Sequence, residues 1–501
     1  MLRLFVDVPG PGLRIKLVGD VDPDPRTGRI TSTFSDLPQL PFTALDLSFR
    51  GGDKAILTTP PACGPATSAA SLTPYSGAAA AAASSSFTVS WDGRGMPCPD
   101  PLPFAPSVSI DASPSRAGAG TSLVQTISRE PRTQRLQDME LSFPPGLLGG
   151  LGSGIELCDL AAARAAACSK DSRVGSATLV AGPGGAPLRI AGEVFLTAPI
   201  DGSLAGLAIT VPGKVGPFDL GTTVSLARIA VRPDDAGLEV TAEDLPQLVG
   251  GIPLGLRRIR LSLDRRGFMR NATSCAPQEL TARFVSSLGA TARATAPYRA
   301  TGCDDVSFRP RLRGTIGRKG RLARGAHPRV TAVVSQGAGQ ISTRAVTVTL
   351  PEEVAVAIEQ LAAATCLEGQ DCGGRNVVGR ATAVTPLLPL ALTGPVRLVS
   401  PAAGGLPELR VELSGLLSLS LTGKTALTGK GRVQNTFEGI PDVPLSRFEL
   451  RLAGGEHGIL VNNRRLRCGE RARGDAAFTG HSGVERRVRG AFRICGRGRS
   501  G

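Results

Sequence analysis

Ten cysteines and 57 basic residues carry most of the side-chain chemistry available to this 501-residue chain, against three histidines, one tryptophan and two tyrosines. The cysteines fall into five neighbouring pairs: Cys63 with Cys98, Cys158 with Cys168, Cys275 with Cys303, Cys366 with Cys372, and Cys468 with Cys495. An even count in local pairs suits disulfides, which persist where the compartment is oxidising, although sequence alone leaves their connectivity open. Zinc is the competing chemistry and fits less well, because structural zinc sites want close Cys-x-x-Cys or Cys/His clusters. His327, His457 and His481 occupy unrelated places, and only His481 lies between the two members of a cysteine pair. Neither a metal nor any other cofactor is expected.

The formal net charge is +15, and the basic residues are densest between Arg309 and Arg329. Arg309, Arg311, Arg313, Arg318, Lys319, Arg321, Arg324 and Arg329 meet no acid there, and a second cluster runs from Arg464 to Arg499. A dense cationic surface attracts polyanions. Two features argue against a nucleic-acid partner. Only seven of the 57 basic residues are lysine in a chain rich in Ala, Gly, Pro and Arg, the composition of a GC-rich coding sequence. Nucleic-acid modules also interleave aromatics for stacking, and aromatics make up 4% of this chain. An anionic envelope polymer is the better-matched partner for an exported protein, with Arg309, Arg311, Arg313, Arg318, Lys319, Arg321 and Arg324 as candidate contacts.

Catalytic motifs fail on detail. Gly423-Lys424-Thr425 ends like a phosphate-binding loop, but Ser418 stands where that loop needs glycine and the surroundings alternate as strands, so a turn is expected. Gly480-His481-Ser482-Gly483 sets histidine beside serine in a tight turn, without the strand-to-helix elbow of a nucleophile. Asp234-Asp235 and Asp304-Asp305 lack the alternating oxygen ligands of a calcium loop. Asn271-Ala272-Thr273 fits a glycosylation sequon. Tyr75, Phe87 and Trp91 cluster and could offer a sugar an apolar face, but packing against their own hairpin is the default.

What must position these groups is a repeat. Asp36-Leu37-Pro38-Gln39-Leu40-Pro41 leads into Leu45, Leu47, Phe49, Gly51-Gly52, Ile56-Leu57 and Cys63. Gly439-Ile440-Pro441-Asp442-Val443-Pro444 leads into Phe448, Leu450, Leu452, Gly454-Gly455, Ile459-Leu460 and Cys468, aligned without a gap as far as Leu460. A looser copy runs from Asp244-Leu245-Pro246-Gln247-Leu248 through Ile259, Leu261 and Leu263 to Cys275. An earlier half-motif precedes only the later two copies: Cys168, Ser172, Val174 and Gly175, then Gly192, Val194, Leu196 and Pro199, match Cys372, Asn376, Val378 and Gly379, then Gly394, Val396, Leu398 and Pro401. The repeat length is roughly 200 residues, the signature of an array of one supersecondary unit. This divides the chain into a first module at 1–100 that holds only a second half, a second at 101–305 and a third at 306–501. A secretory leader is then expected ahead of the missing half-module, since Met1 to Asp7 does not read as one. No run is long and apolar enough for a transmembrane segment; the nearest, Val377 to Val399, is broken by Arg380, Arg397 and prolines.

Period-two alternation dominates, as in Val108-x-Ile110-x-Ala112, Val346-x-Val348-x-Leu350, Leu409-x-Val411-x-Leu413 and Leu417-x-Leu419-x-Leu421. Pro351-Glu352-Glu353 before Val354 to Ala364 predicts one short helix, and a similar element is expected within 146–167. Each late cysteine pair brackets two strands and a turn, a β-hairpin clipped at its base. The fold class expected is mainly β, with tandem β-sandwich, immunoglobulin-like modules, short helical excursions and local disulfides.

The combination of Asp-Leu-Pro or Ile-Pro-Asp before an alternating strand, a Gly-Gly turn and a closing cysteine resembles exported β-rich repeat proteins of GC-rich bacteria. The resemblance covers nearly the whole chain and implies no activity and no site residue. The functional expectation is a non-enzymatic extracellular or cell-envelope protein that binds a protein or an envelope polymer. The alternatives are a polyanion-binding protein and a hydrolase whose site lies in one module.

Overall fold

A computed structural model describes residues 2–52, 55–60, 62–91, 95–152, 154–182, 187–215, 218–318, 320–367, 370, 372–400 and 406–495. The alternating runs form strands, and their apolar faces close on two separate cores. Residues 1–100 contribute an antiparallel three-stranded sheet, β1 (Leu2–Gly10), β2 (Leu13–Pro23) and β3 (Ile30–Phe34), and a hairpin of β4 (Gly64–Leu72) and β5 (Ala81–Val89).

The first large sheet is built from β6 (Ser107–Ser113), β7 (Gly120–Ser128), β8 (Leu136–Ser142), β9 (Arg173–Ala181), β10 (Leu188–Thr197), β11 (Ala205–Val215), β12 (Phe218–Val231), β13 (Leu238–Ala242), β14 (Arg258–Leu263), β15 (Gln278–Ser286) and β16 (Thr291–Tyr298). Its strands run β16-β15-β8-β13-β12-β11-β10-β9-β14-β7-β6. The seam between β6 and β16 is stitched just beyond the strand ends, where Thr301 N donates to Ser115 O at 2.9 Å and Ala117 N donates to Thr301 O at 2.8 Å.

The second large sheet comprises β17 (Arg311–Ile316), β18 (Val330–Ser335), β19 (Thr343–Thr349), β20 (Val377–Val384), β21 (Leu392–Ser400), β22 (Glu408–Leu413), β23 (Leu419–Leu427), β24 (Val433–Phe437), β25 (Arg447–Leu452), β26 (Arg471–Gly480) and β27 (Glu485–Ile494). They run β27-β26-β19-β24-β23-β22-β21-β20-β25-β18-β17, and β17 pairs with β27 in parallel, so the sheet closes on itself. Each strand occupies the place of the strand eleven earlier in the first sheet. The chain thus has the expected mainly β, layered architecture, and the facing layers are joined along their edges into barrels.

The barrels are apolar inside and charged outside, the reverse of a barrel that faces lipid. Phe284, Leu123 and Leu141 fill the first core, and Phe478, Phe492 and Ile316 the second. Among the described residues no helix is long and apolar enough to cross a membrane. The helices are short. α1 (Leu160–Arg164) starts at Asp159, whose carboxylate accepts from the Ala161 and Ala162 amides as an N-cap. α2 (Ile358–Ala364) is shorter than the expected helix. Val354–Val356 pairs with Leu460–Asn462 as a strand instead, because two β-branched valines on alternate positions meet a free edge.

All ten cysteines are disulfide-bonded, each to its neighbour: Cys63–Cys98, Cys158–Cys168, Cys275–Cys303, Cys366–Cys372 and Cys468–Cys495. Cys158–Cys168 spans α1, and Cys366–Cys372 follows α2. Cys275–Cys303 and Cys468–Cys495 close the β15–β16 and β26–β27 hairpins at their open ends.

The two barrels meet through a buried polar contact. Asp442, 4% exposed, accepts from Thr273 N at 2.6 Å, from Ser274 N at 3.1 Å and from the Thr273 hydroxyl. Thr273 Oγ1 in turn accepts from Ser342 N at 3.1 Å. Burial holds the nearby Arg270 guanidinium below its usual range, with the Asp442 charge opposing. Asn271 and Thr273 are 1% and 2% exposed, and the Asn271 amide donates to Pro114 O and Arg116 O. The sequon is therefore closed to a glycosyltransferase once the chain has folded.

Candidate polyanion-binding face

The outer face of β17, β27 and β26 gathers the two arginine clusters that lie far apart in sequence. In the parallel ladder Arg313 faces Ala491 and Thr315 faces Arg493. In the hairpin Arg471 faces Arg493, Arg473 faces Ala491 and Asp475 faces Arg489. Paired residues point to the same side of a sheet, so Arg311, Arg313, Arg471, Arg473, Arg487, Arg489 and Arg493 all project outward from three adjacent strands. Each of the seven is exposed.

The inner face explains why the strands can lie so. Phe492, fully buried, points into the core from the C-terminal part of β27. A Cβ at Gly314 would lie 2.2 Å from its ring, and one at Gly474 2.6 Å, so both flanking strands need glycine there. The alternation Arg-Leu-Arg-Gly in β17 and Arg-Ala-Arg-Gly in β26 then puts every arginine outside.

Electrostatically the face is little opposed. Asp475 and Glu485 are its carboxylates, and Asp475 is already held by Arg432 at 2.7 Å. Among the described residues none of the seven arginines is in an ion pair. Their neighbours are engaged: Arg447 and Arg451 both hold Glu449, and Arg464 bridges Glu353 and Glu470. Burial works to raise the Glu449 carboxyl, but the two guanidinium hydrogen bonds hold it below the usual carboxylate range. The Arg464 guanidinium is raised, mainly by its hydrogen bond to Glu470.

Of the contacts expected from sequence, Arg309, Arg311 and Arg313 are exposed at or beside β17. Arg318, Arg321 and Arg324 are exposed on the following loop, which is pinned where Leu466 N donates to Leu322 O and Asn462 N donates to Ala326 O. Lys319 lies outside the described residues, as do Arg497 and Arg499 of the second cluster and Pro401 of the repeat motif. Arg471, Arg473, Arg487, Arg489 and Arg493 belong to the face individually and were visible in sequence only as part of a diffuse basic run.

The other candidate groups have structural employment. His481 Nε2 contacts Ile440 O at 2.9 Å, and His327 Nδ1 contacts Leu460 O at 3.1 Å. Gly423-Lys424-Thr425 is not a turn but lies within β23, where a Cβ at Gly423 would lie 2.5 Å from Phe437 and Lys424 reaches Glu438 at 3.6 Å. Asp235 binds Arg232 with both oxygens. Asp304 and Asp305 form a single 3-10 turn together with Cys303. Tyr75, Phe87 and Trp91 do not pack down but are exposed, at 63%, 52% and 61%; among the described residues their hairpin pairs with no further strand that could cover them.

Two apolar cavities lie inside the barrels. One, of about 140 Å³, opens between Leu148 and Ala236 of the first barrel and Leu392, Phe437 and Leu445 of the second. The other, of about 70 Å³, lies within the first barrel, and Gly149, Leu204 and Leu238 line both. Their polar linings are Thr343 and Thr385 in the larger and Gln125 in the smaller. Gln125 drew no notice in the sequence, although it interrupts the inward-facing series Thr121, Leu123, Gln125, Ile127.

No protein-family model matches the chain, and no curated protein matches it. Among solved structures the chain is similar to a protein from Corynebacterium diphtheriae described as membrane anchored, with 11% identity, 87% of this chain and 96% of that one covered, and a TM-score of 0.19. It is also similar to the B domain of a biofilm associated protein, with 8% identity, 77% and 85% covered, and a TM-score of 0.16. Superpositions this loose carry no argument about function.

Proposed function

We propose that the chain is an exported, non-enzymatic interaction protein of the cell envelope, built by repetition of one disulfide-clipped β-module, and that the outer face of β17, β26 and β27 docks it on an anionic envelope polymer. The observation that carries the docking is the parallel pairing of β17 with β27, which merges two sequence-distant arginine clusters into one surface. Arginine suits the task, since its fixed fork of donors matches phosphate and carboxylate oxygens.

Repetition is supported by the shared strand order and by one backbone detail. The residue before each Leu-Pro or Ile-Pro step takes a left-handed conformation, at Asp36 (φ 53), Asp244 (φ 52) and Gly439 (φ 67). The contact between successive units also recurs. The β2–β3 turn meets the Asp-Leu-Pro loop of the next unit, with Gly28 against Leu248 and Gly251 against Pro23, and the β12–β13 turn brings Ala236 to the cavity lined by Ile440 and Val443. Five disulfides support an oxidising, extracytoplasmic location. The non-enzymatic reading rests on the sequence, in which Gly423-Lys424-Thr425 and Gly480-His481-Ser482-Gly483 depart from the catalytic motifs they partly match.

The direct test is sedimentation of the purified chain with cell walls that carry, or have been stripped of, their anionic polymer. Binding that disappears with the polymer supports the reading; equal binding to both preparations, or to neither, rejects it.

A further inference from the structure

We infer that the two cavities form one binding site for a neutral lipid chain bearing a single carbonyl oxygen, with the Gln125 side-chain amide as its donor. The site is separate from the arginine face, which lies on the outside of the second barrel. A barrel of eight strands is just filled by its own side chains or holds one small ligand, so eleven strands leave more interior to fill. A dry apolar cavity of about 150 Å³ is known to hold a benzene ring, so the larger chamber has room for several methylene groups. Gly149, Leu204 and Leu238 form the shared wall, and a chain passing Gly149 occupies both chambers.

Two observations specify the ligand. Among the described residues no charged side chain lines either chamber, so a carboxylate or ammonium inside would be unpaired and costly. Gln125 is 6% exposed, and among the described residues its Nε2 has no hydrogen-bond partner. A buried water needs two to four polar partners, and among the described residues Gln125 is the sole polar side chain lining that chamber. An ester or ketone oxygen on an otherwise apolar chain gives the unpaired Nε2 an acceptor without bringing a charge into the chamber. Entry is marked by exposed leucines: Leu416 and Leu390 stand 44% and 68% exposed, within two residues of the lining residues Leu417 and Leu388.

The test uses the full chain, loaded with the neutral fluorophore N-phenyl-1-naphthylamine and titrated with saturated fatty-acid methyl esters of increasing length and with alkanes of matched length. The wild type should release the fluorophore to esters more readily than to alkanes, with affinity still rising for chains too long for one chamber. Gln125→Leu should weaken ester binding about three- to tenfold and leave alkanes unchanged. Gly149→Leu narrows the shared wall; a Cβ there meets Phe268 at an ordinary 3.6 Å. It should keep the short esters and lose the gain from lengthening. Should that variant lose cooperative unfolding, Gln125→Leu carries the test alone, because it is close in volume and removes an unpaired polar atom. No displacement from the wild type by any ester, no preference for esters over alkanes, or an unchanged Gln125→Leu overturns the proposal.

Discussion

Replacing Arg313, Arg473 and Arg493 together by glutamine should cut both the affinity of the chain for a linear polyanion and the salt dependence of that affinity. The three side chains stand on three adjacent strands of the outer face, exposed and with no ion pair among the described residues, so the folded state should lose little; surface changes of this kind fall within about 0.5 kcal/mol. Strands rise about 3.4 Å per residue and lie about 4.8 Å apart, so the face measures roughly 20 Å along β27 and 10 Å across. A polymer laid along β27 then meets about five of the seven arginines. Each neutralised charge contributes roughly −0.7 to the slope of log K against log salt for a single-stranded polyanion, which gives a slope of about −3.5. Raising salt fourfold should weaken binding about a hundredfold by that slope. The triple variant should lose about 2 from the slope. Fluorescence anisotropy of labelled long-chain polyphosphate, titrated with each protein across a salt series, reads both quantities. A wild-type slope near zero, or a triple variant with the wild-type slope, would falsify the face as the site.

Three further outcomes follow from the structure. Asp442→Ala strips the acceptor from the Thr273 and Ser274 amides and the Thr273 hydroxyl, and at about 1–3 kcal/mol for each of the two buried Thr273 groups it should cost about 2–6 kcal/mol in a urea melt; a loss under about 0.5 kcal/mol would show that the barrels do not rely on this junction. Removing the Cys468–Cys495 bridge by double alanine substitution frees a closed loop of 27 residues and should lower stability by about 3.5 kcal/mol on the chain-entropy estimate, while an unchanged melt would mean the hairpin is held wholly by its pairing. Glu449 has its carboxyl depressed on folding against the opposing effect of burial, so its contribution is present above the unfolded pKa and is lost as pH falls through the folded one; Glu449→Gln should therefore flatten the acid limb of the stability profile, and an unaltered limb would refute that role.

How much of this was legible in the chain depends on whether the cause was local. The cysteine pairs and clipped hairpins are local, and they were readable because each closing cysteine pair brackets two alternating runs and a turn in the sequence. Leu45, Leu47 and Phe49 show the opposite case. They alternate as Ile259, Leu261 and Leu263 do in β14, yet they form no strand and remain 43–53% exposed. β14 is held by β9 on one side and β7 on the other, and among the described residues nothing offers the first copy either partner. Alternation supplies a face, and only a neighbour turns it into a strand. The arginine face was invisible for a related reason: Arg313 and Arg493 come onto one face through a parallel pairing between the first and last strands of one barrel, which no local pattern encodes. Gln125 could have been found, since a lone amide among Leu123 and Ile127 breaks an inward-facing apolar series.

The most direct test of an exported, disulfide-clipped array is the intact mass of the alkylated chain, purified from an oxidising compartment, with and without prior reduction. The account predicts ten cysteines protected before reduction and ten alkylated after it. Free thiols in the folded, unreduced protein would contradict the disulfide framework and, with it, the extracytoplasmic location.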